Sequence, residues 1–297
     1  MRIFITGVTG FIGRNLYEHL QGKYNLICPS HKELELLDLE AVEHFLKKSD
    51  IDVIIHCATL GAKRTSLNNP NFIESNLRMF FNLIKCKKHY KKLIFLGSGA
   101  EYDKSLNISN ICENDFDRGV PKDAYGFYKY VCSKYIEVSK ENIINLRLFG
   151  IFGKYEDYET RFISNAICRT IFDMPIIINR NVFFDYLYIE DFLKIIEYFI
   201  LNDSQYKFYN VGTGKKIDLL TIAKKIKSIS SNDPEIIVKN KGLDPEYSCN
   251  AERLISEINI KNYTDIEDAL TKLYGWYKAN KSKLSLKKLK GKNGITV

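Results

Sequence analysis

The sequence contains no long apolar run. None of its hydrophobic stretches approaches the roughly 18 consecutive apolar residues that a membrane-spanning helix needs. The first residues, Arg2–Thr6, have the pattern of a buried strand rather than that of a signal peptide. We therefore expect a cytoplasmic protein without a membrane span.

Paired cysteines and clustered histidines are also missing. The seven cysteines are scattered, odd in number and form no Cys-x-x-Cys pair, which indicates reduced thiols in the cytosol. The five histidines are isolated from one another, so we expect no metal site.

The remaining composition is ordinary for a globular protein. Hydrophobic residues make up 45% of the 297 residues and charged residues 27%. Part of the net charge of +8 lies in a lysine-rich end, Lys278–Lys292. A basic end is more often solvated than bound to nucleic acid or an anionic membrane, so we expect no nucleic-acid partner. A mild positive field also suits a doubly charged nucleotide substrate.

A glycine-rich turn near the N-terminus is the strongest local signal. The strand Arg2–Thr6 runs into Gly7-Val8-Thr9-Gly10-Phe11-Ile12-Gly13, and a helical pattern follows at Arg14–Leu20. The three glycines have separate uses: a tight turn, the close approach of a pyrophosphate, and close packing of helix on strand. Amide groups at the helix N-terminus then face the anion. The turn predicts a phosphate-binding site.

Strand-like and helix-like segments alternate through the first half of the chain. This rhythm predicts βαβ units and therefore a doubly wound, parallel α/β sheet. The predicted strands are Arg2–Thr6, Asn25–Cys28, Val53–Ala58, Leu93–Gly97 and Asn145–Phe149, and the predicted helices between them include 41–48, Asn71–Tyr90 and Asp123–Lys140.

Beyond Gly153 the rhythm becomes irregular, which predicts a smaller, discontinuous α/β lobe over the edge of the sheet. We expect residues 1–160 to form the nucleotide-binding domain, with 185–212 returning to it. Residues 161–184 and 213–297 are expected to form the substrate-binding lobe and the basic end.

A serine, a tyrosine and a lysine are predicted to meet at the carboxyl edge of the sheet. The fourth strand ends in Gly97-Ser98-Gly99, and Tyr125 opens the next helix with Lys129 one turn later on the same face. An ammonium group beside a phenol favours the phenolate and lowers the pKa of a phenol from its usual value of about 10. A serine hydroxyl opposite can hold a substrate oxygen while hydride moves to or from the carbon.

The spacing Tyr-x-x-x-Lys is not specific in a chain with 19 tyrosines. It also occurs at Tyr130 and Lys134, about 140° further round the helix. Only Tyr125 opens a helix one crossover after a strand that ends in serine. Ser105 and Ser109 are less well placed alternatives for the serine.

With these motifs in view, the chain resembles the extended short-chain dehydrogenases of the NAD-dependent epimerase/dehydratase family. Within that family it is most similar to the GDP-fucose synthase and nucleotide-sugar 4-ketoreductase branch. The resemblance implies a Rossmann-type fold, a homodimer formed through Asn71–Tyr90 and Asp123–Lys140, and a nucleoside diphosphate sugar as substrate. It implies the cofactor contacts Gly7, Thr9, Gly10, Phe11, Ile12, Gly13, Ser30, His31, Lys32, Asp38, Leu39, Cys57, Ala58, Thr59, Tyr125 and Lys129.

Departures from related enzymes narrow the implied chemistry. In the 4,6-dehydratases an Asp-Glu pair follows the catalytic hydroxyl, whereas this sequence has Gly99 and Ala100 there. In fucose synthases a cysteine and a downstream histidine epimerise the sugar, and here Ala100 and, in a looser alignment, Arg161 take their places. The alternation of side chains along a strand predicts that Glu101 points away from the substrate. A shift of one residue in this register would turn it towards the substrate. We expect reduction without dehydration or 3,5-epimerisation.

The implied contacts to the substrate diphosphate are less regular. Phe184 replaces the arginine that usually precedes the Asp-Phe/Tyr pair, here Asp185-Tyr186. Arg253 or Arg180 is expected to supply the positive charge that binds the diphosphate. The alternative is that both are ordinary surface residues. The expected substrate contacts are Gly99, Arg161, Asn165, Arg180 and Arg253.

Coenzyme choice depends on the end of the second strand. NAD enzymes usually have a carboxylate there for the ribose 2′-hydroxyl, whereas a basic residue accommodates the phosphate of NADP. The sequence has Ser30-His31-Lys32 and no acid before Glu33, so NADP(H) is favoured over NAD(H). The alternative is a loop lysine that contacts only water.

The expected function is reduction of a nucleotide-linked 4-keto sugar at C4 with NADPH, in the synthesis of surface-polysaccharide precursors. A C4 epimerase is the first alternative, because the same three residues can oxidise and re-reduce one carbon. A non-catalytic nucleotide-binding protein is the second. Pocket shape is expected to depend on loops around Gly61–Leu67, Tyr155–Arg161 and Lys241–Tyr247.

Overall fold

Of the 297 residues, the computed structural model describes 1–61, 70–260 and 262–290. Two sequence predictions extend outside these ranges. Of the loop Gly61–Leu67 only Gly61 is described, and the lysine-rich end is described as far as Lys290. Within the described ranges, no helix has both the length and the apolar character that crossing a bilayer requires.

The strands are short and mostly apolar. They are β1 (Arg2–Thr6), β2 (Asn25–Ile27), β3 (Ile51–His56), β4 (Tyr90–Ser98), β5 (Ile108–Ile111), β6 (Ile143–Leu148), β7 (Gly150–Phe152), β8 (Ile176–Ile178), β9 (Phe183–Tyr188), β10 (Phe208–Val211), β11 (Lys216–Asp218), β12 (Ile236–Val238) and β13 (Tyr247–Cys249).

The α-helices are α1 (Phe11–Leu20), α2 (Leu39–Ser49), α3 (Phe72–Lys85), α4 (Ala124–Val138), α5 (Phe162–Ile171), α6 (Ile189–Leu201), α7 (Leu219–Ile229), α8 (Glu252–Ile258), α9 (Ile266–Ala279) and α10 (Leu286–Lys290). Several begin where an aspartate carboxylate accepts a backbone N–H of the first turn, which satisfies a donor that the helix itself cannot pair. Asp38, Asp123, Asp218 and Asp265 cap α2, α4, α7 and α9 in this way.

The central sheet is six-stranded and parallel, in the order β10-β6-β4-β3-β1-β2. Alternate residues of its strands enter cores on opposite faces, because side chains of a strand alternate between faces. Ile3 and Ile5 pack with α1 and α6, whereas Phe4 packs with α2, α3 and α4. The fold class predicted from the sequence is confirmed.

The helices for which a dimer contact is expected, α3 and α4, pack beside each other on one face of this sheet. Their buried residues join the core that Phe4 enters. This face is thus covered by α2, α3 and α4.

A second sheet has the order β11-β9-β13-β5, with β7 also paired to β9. Strands β8 and β12 form a separate parallel pair. Sequence patterns did not predict β5, β7, β9, β11 or β13. Four of these strands have only three or four residues, which are too few to show a periodicity. These strands nevertheless bring distant parts of the chain to the carboxyl edge of the central sheet.

The carboxyl edge is where the predicted site residues gather. Thr6 at the end of β1 pairs with His56 at the end of β3, and Ser98 at the end of β4 pairs with Leu148 of β6. In open α/β sheets, ligands bind outside this edge.

Replacing Gly13 with alanine tests the packing of α1 against the turn. A Cβ at Gly13 would lie 2.3 Å from the Gly7 carbonyl oxygen and 2.8 Å from its carbon. Because both are backbone atoms, α1 must move, and we expect Gly13→Ala to lower the free energy of unfolding by about 2 kcal/mol. Urea denaturation measures the change.

The matched control is Gly275→Ala, in the exposed middle of α9, where a Cβ meets nothing within 4 Å. Alanine is the better helix former, so this variant should gain up to about 1 kcal/mol. Equal shifts for the two variants would contradict the close approach at Gly13.

Candidate active site

The glycine turn joins β1 to α1 through a left-handed residue. Gly7 has φ +68°, and its carbonyl accepts the N–H of Gly10 at 3.0 Å. A Cβ at Gly7 would lie 2.7 Å from the Ala58 Cα, so the turn packs directly on the chain that leaves β3. Only glycine meets both demands, because other residues at this φ are strained and have a Cβ.

The ends of β1 and β3 are joined by Thr6. Its hydroxyl oxygen accepts the N–H groups of Cys57 and Ala58, both at 3.1 Å, and lies 2.9 Å from the Nδ1 atom of His56. Burial, followed by the positive charge of Lys129, lowers the pKa of His56 to about 3, so this imidazole is neutral. The predicted contacts Cys57 and Ala58 are thus held beside the glycine turn.

The residues of the turn fit the pyrophosphate of a dinucleotide. Gly10 is the N-cap of α1 and brings no side chain to cap it, so the first N–H groups of α1 remain for an outside acceptor. The predicted contact Thr9 is exposed immediately before Gly10, and Phe11 and Ile12 form the start of α1.

Ser98 is the last residue of β4 and is buried. Its hydroxyl oxygen accepts the N–H of Ala100 at 3.1 Å, and its own N–H donates to the Glu101 carboxylate at 3.0 Å. A short 3-10 turn, Gly99–Glu101, follows. These reciprocal bonds fix the direction in which the serine leaves the strand.

The Glu101 carboxylate lies inside the protein, in an ion pair with Arg147 at 2.7 Å. It also accepts hydrogen bonds from Ser133 and from Asn145. Both charged side chains are almost completely buried, at 0% and 1% exposure. Glu101 therefore holds neighbouring elements together and does not face the substrate side of Ser98.

Tyr125 and Lys129 lie on one face of α4, as the spacing predicts. The Lys129 ammonium donates to the carbonyl of Leu96, two residues before Ser98, and lies 5.9 Å from the centre of the Tyr125 ring. Burial by itself lowers the pKa of Lys129, but the phenols of Tyr128 and Tyr125 raise it by more, so the ammonium stays charged. Tyr125 is only half-buried and remains accessible.

Tyr128 is a site residue that the motif did not reveal. Its hydroxyl lies 3.1 Å from the Thr59 hydroxyl, and the Lys129 ammonium lies 5.0 Å from the centre of its ring. Its ring packs edge-on against Tyr125, with centroids 5.5 Å apart. A tyrosine three residues after Tyr125 lies on the same helical face, and this spacing was the available signal.

Tyr247 is a second residue that sequence patterns missed, and no motif marks it. It comes from β13 of the other sheet, and its phenol oxygen lies 2.5 Å from the position that a Cβ on Gly99, the residue after Ser98, would take. Only the pairing of β13 with β9 and β5 brings it to this position.

The loop after β2 contains both the predicted cations and acids that accompany them. Glu33 accepts the N–H of Ser30 at 2.6 Å, and this bond lowers the pKa of Glu33. His31 lies 3.1 Å from the Glu35 carboxylate. Lys32 is exposed and forms no ion pair with any residue that the structure describes.

Two further predicted cofactor contacts lie at the start of α2. The Asp38 carboxylate accepts the N–H groups of Glu40 at 3.0 Å and Ala41 at 3.1 Å, and Leu39 is the first helical residue. The Asp38 carboxylate therefore already accepts two backbone N–H groups of α2. If it also contacts an adenine, it must do so while it keeps these bonds.

Arg161, a predicted substrate contact, lies close enough to Tyr247 and Tyr186 for its charge to act on both phenols. It is the exposed N-cap residue of α5, and its charge lowers the pKa values of Tyr247 and Tyr186 against the stronger effect of burial. Asn165 lies one turn later and donates to the Tyr158 carbonyl at 2.9 Å. Gly99 lies directly under the Tyr247 phenol.

Arg253, which is expected to contact the substrate diphosphate, is held at the start of β10. This side chain donates to the Phe208 carbonyl at 3.1 Å and to Asn114 at 3.0 Å, and it stacks on Tyr206. Phe208 begins β10, so these contacts anchor α8 to the central sheet.

The other candidate for the diphosphate charge, Arg180, is already paired. It donates to Asp244 at 2.8 Å, three residues before Tyr247, and both side chains are partly exposed. Arg161, by contrast, has a charge that acts on Tyr247, whose phenol lies over Gly99.

A buried carboxyl group, Glu156, lies behind Arg161. It accepts a hydrogen bond from Ser164, and burial raises its pKa to about 7 despite the opposing effects of Ser164 and Arg161. It also raises the pKa of the buried Tyr186. This carboxyl group therefore changes charge near neutral pH.

Comparisons with known proteins agree with this geometry. Residues 3–212 match the family described as NAD dependent epimerase/dehydratase. GDP-L-colitose synthase of Yersinia pseudotuberculosis is 27% identical over 297 residues, with 92% of this chain and 96% of that protein covered.

Two solved structures are similar in fold. The GDP-mannoheptose C4 reductase of Campylobacter jejuni with NADP bound has a TM-score of 0.80 at 22% identity, with 93% of this chain and 98% of that chain covered. The UDP-glucose 4-epimerase of Thermotoga maritima with UDP-glucose has a TM-score of 0.81 at 19% identity, with 94% and 99% covered.

Glu156 makes a testable contribution to the pH dependence of stability. Its pKa rises from 4.5 in the unfolded chain to about 7 in the folded one, so its contribution is complete below pH 4.5 and is lost as the pH rises through 7. We expect Glu156→Gln, which mimics the protonated group, to be up to about 3 kcal/mol more stable than the parent at pH 8.

Urea denaturation of both proteins at several pH values measures this difference. At pH 4 to 5 we expect the two stabilities to be similar. The control Glu137→Gln removes a partly exposed carboxylate of α4 and should show no such dependence. A difference between Glu156→Gln and the parent that stays constant from pH 5 to 8 would rule out the titration.

Proposed function

Because the chain belongs to the NAD dependent epimerase/dehydratase family, we propose that it reduces the C4 carbonyl of a nucleoside diphosphate 4-keto sugar with NADPH. The match over residues 3–212 confirms the family predicted from the sequence. Two similar proteins support the proposed reaction, one a GDP-L-colitose synthase and the other a GDP-mannoheptose C4 reductase. The product would be an activated sugar for surface polysaccharide.

The observation that supports simple reduction best is the placement of Glu101. Gly99 and Ala100 have no group that moves a proton, and the carboxylate that follows them is paired with Arg147 inside the protein. Dehydration and 3,5-epimerisation both need an acid and a base beside the sugar ring. Reduction needs only one proton donor.

Each of the three residues has one task in the proposed reaction. When bound, the reduced nicotinamide supplies the hydride. Tyr125 donates its phenolic proton to the carbonyl oxygen, and Ser98 holds that oxygen with a hydrogen bond. The buried ammonium of Lys129 stabilises the phenolate that Tyr125 becomes.

The substrate diphosphate is proposed to bind at the start of α5. Arg161 is exposed there, beside Tyr247, and its charge complements two phosphate groups. Asn165 lies one turn later on the same helix face.

Replacing Tyr125 with phenylalanine tests the proposed proton donor. Tyr125→Phe removes the hydroxyl and leaves the ring, so coenzyme affinity should stay unchanged while turnover falls at least about a hundredfold. The measurement is NADPH oxidation, followed by absorbance, with a panel of nucleoside diphosphate 4-keto sugars.

The matched control is Tyr130→Phe, in the neighbouring Tyr-x-x-x-Lys repeat on α4. Tyr130 bonds to Asp117 near Lys134 and should be dispensable for turnover. Turnover retained in Tyr125→Phe would contradict its role. Interconversion of C4-hydroxy sugars without added coenzyme would favour the epimerase alternative, and coenzyme binding without any turnover the non-catalytic one.

The preference for NADPH is proposed from the loop after β2. Lys32 and His31 are exposed next to Ser30, where the 2′-phosphate of NADP would bind. The Glu33 carboxylate accepts the Ser30 N–H. A phosphate bound in this loop must therefore displace the carboxylate or bind beside it. The similar heptose reductase of Campylobacter jejuni has NADP bound.

The test is the ratio of NADPH to NADH affinity. Lys32→Ala should weaken NADPH binding about tenfold, the loss of one charge-assisted contact, and leave NADH binding unchanged. Lys224→Ala, an exposed lysine of α7, is the control. A parent protein that prefers NADH, and loses this preference in Glu33→Ala, would contradict the proposal. It would show that Glu33 binds the ribose 2′-hydroxyl of NADH instead.

A further inference from the structure

The last described helix, α10, is packed against α5. The side chain of Leu289 is buried and joins the core that contains Phe162 and Ile171 of α5. The buried Arg169, also of α5, donates to the Leu289 carbonyl at 3.1 Å. The lysine-rich end is therefore held on α5 at this point, although the lysines of α10 are exposed.

Two residues of the loop before α5 are bonded to this same end of the chain. The backbone N–H of Ser285 donates to the Tyr158 hydroxyl at 3.1 Å, and the Lys288 ammonium donates to the Glu159 carboxylate at 2.7 Å. The two donors lie 127 and 129 residues further along the chain than their acceptors. The docking of α10 thus holds the loop at two successive side chains.

The loop residues that α10 holds are bonded in turn to the proposed diphosphate contacts. The Asn165 amide donates to the carbonyls of Tyr158 at 2.9 Å and Glu159 at 3.3 Å. The Arg161 N–H donates to the Asp157 carbonyl at 3.0 Å, which closes one turn of backbone around Tyr158 and Glu159. A displacement of this turn therefore moves both Arg161 and Asn165.

The other end of the same loop is held by a different element. The Lys154 carbonyl accepts a hydrogen bond from the Asn15 amide at 2.9 Å, and the Lys154 ammonium donates to the Glu18 carboxylate at 2.7 Å. Asn15 and Glu18 belong to α1, the helix that follows the glycine turn. The loop therefore has two separate supports, α1 beside the glycine turn and α10 at the end that leads to Arg161.

From these contacts we propose that α10 is a brace for the substrate diphosphate site, and that Lys288 is a positioning residue that holds Arg161 and Asn165 through Glu159. The assignment rests on the proposed function, because the diphosphate of the sugar nucleotide is the group that Arg161 and Asn165 bind. It adds that the lysine-rich end sets the geometry of this site, whereas the coenzyme site depends on α1.

The first experiment is Lys288→Ala, with KM measured for the keto sugar that the parent reduces. Loss of one partly exposed ion pair should raise KM about threefold. The kcat value should stay nearly unchanged, because the diphosphate is bound equally in the ground and transition states, and coenzyme affinity should stay unchanged too. Lys288→Arg keeps the charge and should behave as the parent. The matched control is Lys287→Ala, an exposed lysine of α10 that forms no ion pair with any described residue.

A second variant releases the whole brace. Leu289→Ala removes the buried side chain that docks α10 and should raise KM about tenfold, again with kcat nearly unchanged. Its control is Leu46→Ala in α2, a buried leucine of the other core, which should lower stability without a change in KM. KM values that stay at the parent level in both Lys288→Ala and Leu289→Ala would overturn the proposal.

Glu159→Gln distinguishes positioning from a simple effect of charge. If Lys288 acted on the phosphates only through its charge, removal of the nearby carboxylate would tighten substrate binding. Positioning predicts the opposite: Glu159→Gln raises KM as Lys288→Ala does, and the double variant is no worse than either single variant. A lower KM in Glu159→Gln would overturn the assignment.

Failure of the proposed function is detected separately. If the parent protein oxidises NADPH with none of the keto sugars, the carbonyl reduction is wrong. The brace itself is then decided by hydrogen exchange in residues 157–165, followed by mass spectrometry. Faster exchange there in Leu289→Ala than in Leu46→Ala supports the brace, because the loop opens more often when α10 is released. Equal exchange in the two variants overturns it.

Discussion

The buried ion pair between Glu101 and Arg147 is the interaction on which the geometry of the site depends. The Glu101 carboxylate binds the backbone of Ser98 at the end of β4, Ser133 on α4, and Arg147 on β6. A charge buried in a protein is costly unless it is paired and hydrogen-bonded. The pair therefore holds these three elements in one arrangement and with them the distance between Ser98 and the helix of Tyr125 and Lys129.

The surroundings of this pair explain its neighbours in the sequence. A Cβ at Gly97 would lie 2.0 Å from the Asn145 side chain and 2.2 Å from the Glu101 carboxylate. Only glycine therefore fits at this position of β4 beside the ion pair. The Arg147 guanidinium lies 4.2 Å from the ring centre of Phe116 and 4.5 Å from that of Phe208. Aromatic faces attract a cation and shield it from water, which strengthens the pair with Glu101.

The hydroxyl groups of the site come from three separate places in the chain. Ser98 ends a strand of the central sheet, Tyr125 begins a helix beside it, and Tyr247 belongs to the second sheet. Tyr128 adds a third phenol, whose hydroxyl lies 3.1 Å from that of Thr59 and whose ring lies beside the Lys129 ammonium. Hydroxyl groups gathered in this way can hold a carbonyl oxygen and supply its proton, as the proposed reduction requires.

The sequence alone determined the elements that carry a local pattern. The glycine turn from Gly7 to Gly13, the alternation of strands and helices, and the spacing of Tyr125 and Lys129 depend on near neighbours in the chain. Their chemistry is therefore visible in the order of residues. The tertiary structure decided which distant groups meet: Tyr247 over Gly99, Glu101 on Arg147, and Arg253 on the start of β10. Short strands and buried polar contacts join residues far apart in the chain, and no local periodicity records such pairings.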